Sequence, residues 1–183
     1  FLKIDNDGEI IGKTGAEYHA QTASARVSGR GGTKQNIHWS EVAFYPNTDI
    51  MNAETLVTGA EEQVPQGRGK IFRETTGNTM ADFFAREYNL GKLNESEFKS
   101  RFLGWFIHKS EYTKKAPIDW TVPEYYDEII RKGLANRDQC YWHFTKTRSL
   151  KNKKKLRENP TYEHEAFITG GDQYFDVDSL RDM

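Results

Sequence analysis

The stretch Gly29 to Pro46 reads GRGGTKQNIHWSEVAFYP. A glycine-rich turn, Ser28 to Thr33, leads into an expected strand, Lys34 to Trp39, which ends on Ser40 and Glu41. Loop, strand and carboxylate in that order is how mononucleotide sites on parallel sheets bring an acid to phosphate, water and Mg²⁺ at the carboxyl ends of the strands. Glu41 occupies the position from which a carboxylate orients the attacking water. Ser40 occupies the position from which a hydroxyl reaches the magnesium shell. A polar residue closing a strand is also commonplace, so this segment alone leaves a purely structural reading open.

Working outward, Glu17 to Ala23 alternates polar and apolar residues as a short strand does. Asn52 to Gln63 sets Ala53, Leu56, Val57 and Ala60 at helical spacing, and Lys70 to Thr75 is a further strand after the breaker Gln66 to Gly69. Met80, Phe83, Phe84 and Tyr88 share one face of a helix packed on the core. The aromatic run Arg101 to Ile107 reads as another strand. Strands alternating with helices predict an α/β fold with a mostly parallel sheet flanked by helices. From Pro123 the texture changes: Pro123 to Leu134 and Asn136 to Arg157 read as helices of a separate subdomain. The expected organisation is therefore 1–115 as the α/β part, 116–170 as a helical subdomain, and 171–183 as an acidic linker.

The bulk numbers narrow the choice. At 183 residues, with 36% hydrophobic and 13% aromatic residues, the chain is long enough for a packed core. A net charge of -1 gives no overall attraction to nucleic acid or to an anionic membrane, so any such attraction must be local. The longest apolar run, Phe102 to Ile107, is far short of the roughly 20 residues needed to span a membrane. Cys140 is the single cysteine, which excludes an intrachain disulfide and a cysteine-rich zinc site, and its default reading is a buried inert thiol. The chain opens on Phe1 and is expected to be a piece of a longer protein.

Four further features bear on chemistry. The strand from Lys70 ends in Glu74, Thr75, Thr76, Gly77 and Asn78, where hydroxyls and an amide at the tip of a neighbouring strand can sense a γ-phosphate; the bland alternative is that Asn78 or Thr79 caps the next helix. Lys146 to Arg157, KTRSLKNKKKLR, carries seven basic residues and no acidic one, which suits phosphate contact through Lys151, Lys153, Lys154 and Lys155 or, equally, an exposed helix face. The five histidines never pair at the i, i+4 spacing of a helical zinc site and read as structural or surface residues. Asp172, Asp176 and Asp178 lack the glycine and terminal glutamate of a calcium loop and read as solvated linker.

Taken in order, these segments resemble the large subunit of tailed-phage terminases, the DNA-packaging motor, over nearly the whole chain. HWSEVAFYPN at His38 to Asn47 is similar to the Walker B region of one terminase branch, with Ser where most P-loop ATPases have Asp. RETTGN at Arg73 to Asn78 is similar to the family's coupling motif. FLGWFIHKSEY at Phe102 to Tyr112, RDQCYWHF at Arg137 to Phe144 and ENPTYEHEAFITGGDQYFD at Glu158 to Asp176 resemble the run that leads out of the ATPase domain. The resemblance implies a partial P-loop (ASCE-type) ATPase fold, with ATP and Mg²⁺ as cofactors. It implies Glu41 as the catalytic carboxylate, Ser40 on the Mg²⁺ side, Arg30 in a loop near the nucleotide, and Thr75, Thr76, Gly77 and Asn78 as the coupling residues.

The partners that the resemblance implies are double-stranded DNA, a portal and procapsid, a small terminase subunit and an oligomeric ring, in the cytoplasm of a bacterial host and with no membrane. The departures are as plain as the matches. No G-x-x-x-x-G-K-[ST] phosphate loop occurs in the chain, and the nuclease domain that such proteins carry would start where this chain stops. The chain alone is therefore expected to be inactive as an ATPase and to expose a sheet edge that favours self-association. A non-catalytic nucleic-acid-binding or assembly module, or a helicase-related ATPase piece, are the alternatives from the residues themselves.

Overall fold

Two short strands that run the same way, Asn36–Trp39 and Lys70–Arg73, are joined by a crossover that contains the helix Ala53–Glu61. The computed structural model describes residues 2–6, 8–23, 33–148 and 157–167. Within the chain two compact units separate, Phe1–Glu74 and Thr75–Met183. The fold is mixed α/β.

The first unit begins with three antiparallel strands, β1 (Leu2–Asn6), β2 (Glu9–Gly12) and β3 (Glu17–His19), paired in that order. Gly15, at φ 82, closes the turn between β2 and β3, where Gly12 N–H donates to the Ala16 carbonyl at 2.8 Å. Sequence reading predicts one strand here, Glu17 to Ala23, in a mostly parallel sheet. The structure corrects both points: the strand ends at His19, and the larger sheet is an antiparallel meander of very short strands whose turns, not their hydrophobic pattern, set the pairing.

The parallel pair follows as β4 (Asn36–Trp39) and β5 (Lys70–Arg73), with Ile37 opposite Ile71 and Trp39 opposite Arg73. Between them α1 (Ala53–Glu61) starts where the Asn52 side chain accepts the Thr55 N–H at 3.1 Å, and it buries Ala53, Val57 and Ala60 along one stripe. The two strands alternate in step: Ile37, Trp39, Ile71 and Arg73 are half-buried, while Asn36, His38, Lys70 and Phe72 face outward.

The second unit holds α2 (Phe83–Leu93), α3 (Glu124–Arg131), α4 (Arg137–Arg148) and α5 (Glu163–Ala166). The cap of α2 is neither Asn78 nor Thr79 but Asp82, whose carboxylate accepts from Ala85 N–H at 2.8 Å and from Thr79 N–H at 2.9 Å. Met80, predicted on the buried helix face, lies before the helix and is exposed. In α4 Asn136 and Gln139 cap each other reciprocally, Gln139 N–H to Asn136 Oδ1 at 2.9 Å and Asn136 N–H to Gln139 Oε1 at 3.3 Å.

Arg101 to Ile107 is not a strand. Residues 101–104 have no regular structure, and Trp105–Ile107 form a single 3₁₀ turn. The aromatic run is explained by core packing, since Trp105 is 3% exposed and stacks on His143 with ring centroids 4.5 Å apart. With Tyr126, Ile129, Ala135 and Cys140 it makes the core of this unit. Burial pushes the Cys140 thiol up to about 11, as an inert buried cysteine requires.

His143, 1% exposed, has both ring nitrogens engaged. Because the Asn159 carbonyl only accepts, Nε2 at 2.8 Å carries the proton and Nδ1 receives the Tyr126 hydroxyl at 2.9 Å. Burial lowers the pKa of His143 from 6.5 to about 4, partly opposed by the bond to Asn159. The unfolded chain therefore takes up a proton that the folded chain refuses. Stability is complete above about pH 6.5 and is lost as pH falls toward 4, by on the order of 2 kcal/mol at pH 5. Urea midpoints measured at pH 7.5 and pH 5 check this: a midpoint that drops, and that drops less in His143→Gln, is expected, and equal midpoints at the two pH values would refute it.

Candidate functional site

The carboxyl edge of the parallel pair is built by one unusual piece of backbone. Glu74 N–H donates to the Trp39 carbonyl at 2.9 Å, and the Glu74 carbonyl accepts from Val42 N–H at 3.2 Å. Residues 39 and 42 thus both bond Glu74, the residue after β5, and the two residues between them, Ser40 and Glu41, are forced out of the ladder. Both side chains are exposed. Beyond them Val42 and Ala43 return to the interior at 1% and 6% exposure, which anchors the far side of the excursion.

Glu41 absorbs the geometry. Its φ of 56° and ψ of 42° are left-handed, a conformation that costs a residue with a Cβ about 1 kcal/mol or more relative to glycine. A 3₁₀ turn, Val42–Phe44, follows at once, with Phe44 N–H donating to the Glu41 carbonyl at 3.0 Å. Strain of this kind persists where the surroundings over-determine it, and here the two flanking hydrogen bonds and the buried Val42 do so.

What holds the two strands in step is Glu61, the last residue of α1. Its Oε1 accepts from Trp39 Nε1 at 2.9 Å and from Arg73 Nε at 2.8 Å, while its Oε2 takes Arg73 Nη2 at 2.5 Å. The Arg73 and Glu61 side chains are only 6% and 10% exposed. A carboxylate at the end of a helix opposes the helix dipole, and the bidentate guanidinium offsets that penalty. Tyr45 packs edge-on against Trp39 at 6.1 Å, and burial, reinforced by the Glu74 charge, raises its hydroxyl pKa. On the outer face His38 Nε2 lies 3.6 Å from Glu74 Oε1, an exposed pair of small energetic weight.

The residues proposed for coupling fall in the second unit. Thr75 follows Glu74 directly in the chain, and its Oγ1 donates to the Thr76 carbonyl at 2.8 Å. Gly77 is buried against Ala166: a Cβ built on it would lie 2.0 Å from the Ala166 carbonyl oxygen. Asn78 Oδ1 accepts a long hydrogen bond from Arg157 Nη1 at 3.5 Å. Arg30, Lys151, Lys153, Lys154 and Lys155 lie outside the described residues, as does the linker 171–183.

The edge carries one hydroxyl and one carboxylate on successive exposed residues, Ser40 and Glu41. Among the described residues there is no group of three or more His, Cys, Asp or Glu that could hold a metal ion by itself. No helix among them is long and apolar enough to cross a membrane. The clamp and the left-handed Glu41 were beyond sequence reading: Trp39, Glu61 and Arg73 are spaced without periodicity, and glutamate carries no signal for positive φ.

Strain at Glu41 has a direct consequence. Replacing it by glycine or by alanine removes the same carboxylate, but only glycine relieves the backbone, so Glu41→Gly should be more stable than Glu41→Ala by about 1 kcal/mol. Chemical denaturation of the two variants measures the difference, and an alanine variant at least as stable as the glycine one contradicts the strain. In comparisons with known proteins, no family model matches the chain and no curated protein matches it.

Proposed function

We propose that this chain is the part of a terminase large subunit ATPase that carries the hydrolytic carboxylate, in a motor that drives double-stranded DNA into a procapsid. The observation that carries the reading is the pinned two-residue excursion at Ser40 and Glu41, on the carboxyl edge of a β-α-β unit with parallel strands. Ligands of open α/β sheets bind at that edge. A conformation kept in spite of its cost marks the residue as one whose position matters.

In this reading Glu41 accepts a hydrogen bond from the attacking water, aligns it and takes up its developing positive charge. Ser40 offers its hydroxyl to the hydration shell of Mg²⁺, which supplies charge neutralisation for the phosphates when bound. Glu61 and Arg73 act at one remove, by keeping β4 and β5 in register beneath the edge. Thr75, Thr76, Gly77 and Asn78, next in the chain after Glu74, carry the change in nucleotide state onward. The phosphate-cradling loop, the nuclease, and contacts with the portal, the small subunit and the other members of the ring belong to parts outside these residues, in a phage-infected or lysogenic bacterial cytoplasm.

The test is ATP turnover by the full-length protein and its Glu41→Gln variant, which keeps the shape but lacks the carboxylate. A loss of turnover on the order of 10²-fold or more is expected, with nucleotide affinity kept. Turnover equal to that of the parent protein removes Glu41 from the mechanism and the reading with it.

A further inference from the structure

The short segment 157–167 makes more of the unit's long-range polar contacts than its length suggests. Lys92 on α2 bonds Glu163 at 2.7 Å, and Tyr88 on the same helix packs on Phe167 with centroids 5.5 Å apart. The carbonyl of Asn159 takes His143 on α4 at 2.8 Å, and the carbonyl of Pro160 takes Trp105 N–H at 3.4 Å. Thr161 Oγ1 receives Trp105 Nε1 at 2.8 Å and lies 2.7 Å from the hydroxyl of Tyr125 on α3, which is 2.9 Å from Glu165 Oε1. An indole N–H only donates and a carboxylate only accepts, so the protons run one way, from Trp105 through Thr161 and Tyr125 to Glu165.

Glu165 is 4% exposed and completes its shell with Thr161 N–H at 2.6 Å and Tyr162 N–H at 3.0 Å. One residue further on, Ala166 meets Gly77 backbone to backbone, with 2.0 Å between the Ala166 oxygen and the space a Cβ on Gly77 would fill. Arg157, at the other end of the segment, reaches Asn78. The stretch is therefore held rigidly to α3, α4 and Trp105 on one side, and rests directly on the second half of Thr75–Asn78 on the other.

We infer that 157–167 is the output arm of the coupling segment, with Arg157 as a positioning residue that seats it on Asn78. A close-packed contact does not absorb displacement, because no flexible side chain lies between Gly77 and Ala166. A shift of Gly77 by more than a few tenths of an ångström must move Ala166, or break the contact. Moving Ala166 pulls on Glu165, and through Tyr125, Thr161 and Asn159 the shift is passed to α3 and α4. The route is a chain of direct contacts with one well-defined arrangement, and the inference rests on the function proposed above, since it needs Thr75–Asn78 to respond to nucleotide.

Hydrogen exchange of the full-length protein, bound to a non-hydrolysable ATP analogue and then to ADP, tests the arm. Exchange at 75–78 and at 163–167 should both differ between the two nucleotides, by about threefold or more. In Arg157→Gln the difference at 75–78 should remain while that at 163–167 shrinks, with nucleotide affinity and thermal midpoint close to the parent's, and Arg157→Lys should restore part of it. A response at 75–78 with none at 163–167 in the parent protein, or one at 163–167 that Arg157→Gln leaves intact, overturns the arm alone. No nucleotide response at 75–78 overturns the proposed function together with it.

Discussion

The Glu61 carboxylate binds an indole on one strand and a guanidinium on the next, and the first unit's parallel pair depends on it. A two-stranded parallel sheet has little to sustain it, since such pairs normally lie inside larger sheets covered on both faces. Here the third element is the end of α1, and the bonds to Trp39 and Arg73 fix both strands to it at one rung, where these two residues stand opposite each other. Leaving one member of such a buried ion pair alone typically costs about 3–5 kcal/mol, so the arrangement is held chiefly against loss of either partner. The consequence reaches the edge directly. Trp39 is the residue whose carbonyl receives Glu74, and Arg73 is the residue before Glu74.

From that edge to the second unit the principle repeats with different groups. In the first unit a charged pair ties two strands together, and the backbone bonds of Trp39 and Val42 to Glu74 set Ser40 and Glu41 outward. In the second a relay of neutral donors ending on buried Glu165 ties α3 and Trp105 to the segment that abuts Gly77. Burial raises the pKa of the Tyr125 hydroxyl, so it stays protonated and remains a donor throughout the relay. In both units a buried carboxylate sets a backbone position from which an exposed or nearby polar segment takes its geometry. On the outward face of the pair Phe72 is 59% exposed.

Much of this was legible in the residues, and the unreadable parts have specific reasons. Helical spacing of Ala53, Val57 and Ala60 predicted α1, and of the strands expected at Lys34–Trp39 and Lys70–Thr75 the parts Asn36–Trp39 and Lys70–Arg73 form a parallel pair. The strands β1 and β2 are so short that turn geometry outweighs pattern. Arg101–Ile107 misled because aromatic density signals burial and not extended backbone: Trp105 is buried by its contacts with His143 and Thr161, both remote in sequence. Ser40 and Glu41 were identifiable as the end of a strand. The hydrogen bonds to Glu74 that push them out of the ladder depend on a residue more than thirty positions away, and only the folded chain displays them.

The central claim is that Glu41 is held at the sheet edge in order to face a nucleotide's terminal phosphate. A structure of the full-length protein with a non-hydrolysable ATP analogue and Mg²⁺ measures this directly. The account predicts the Glu41 carboxylate within hydrogen-bond reach, about 3 Å, of a water in line with the γ-phosphorus, with its left-handed backbone unchanged. A nucleotide bound elsewhere, or a Glu41 that relaxes to ordinary backbone angles and turns away from it, would contradict the account.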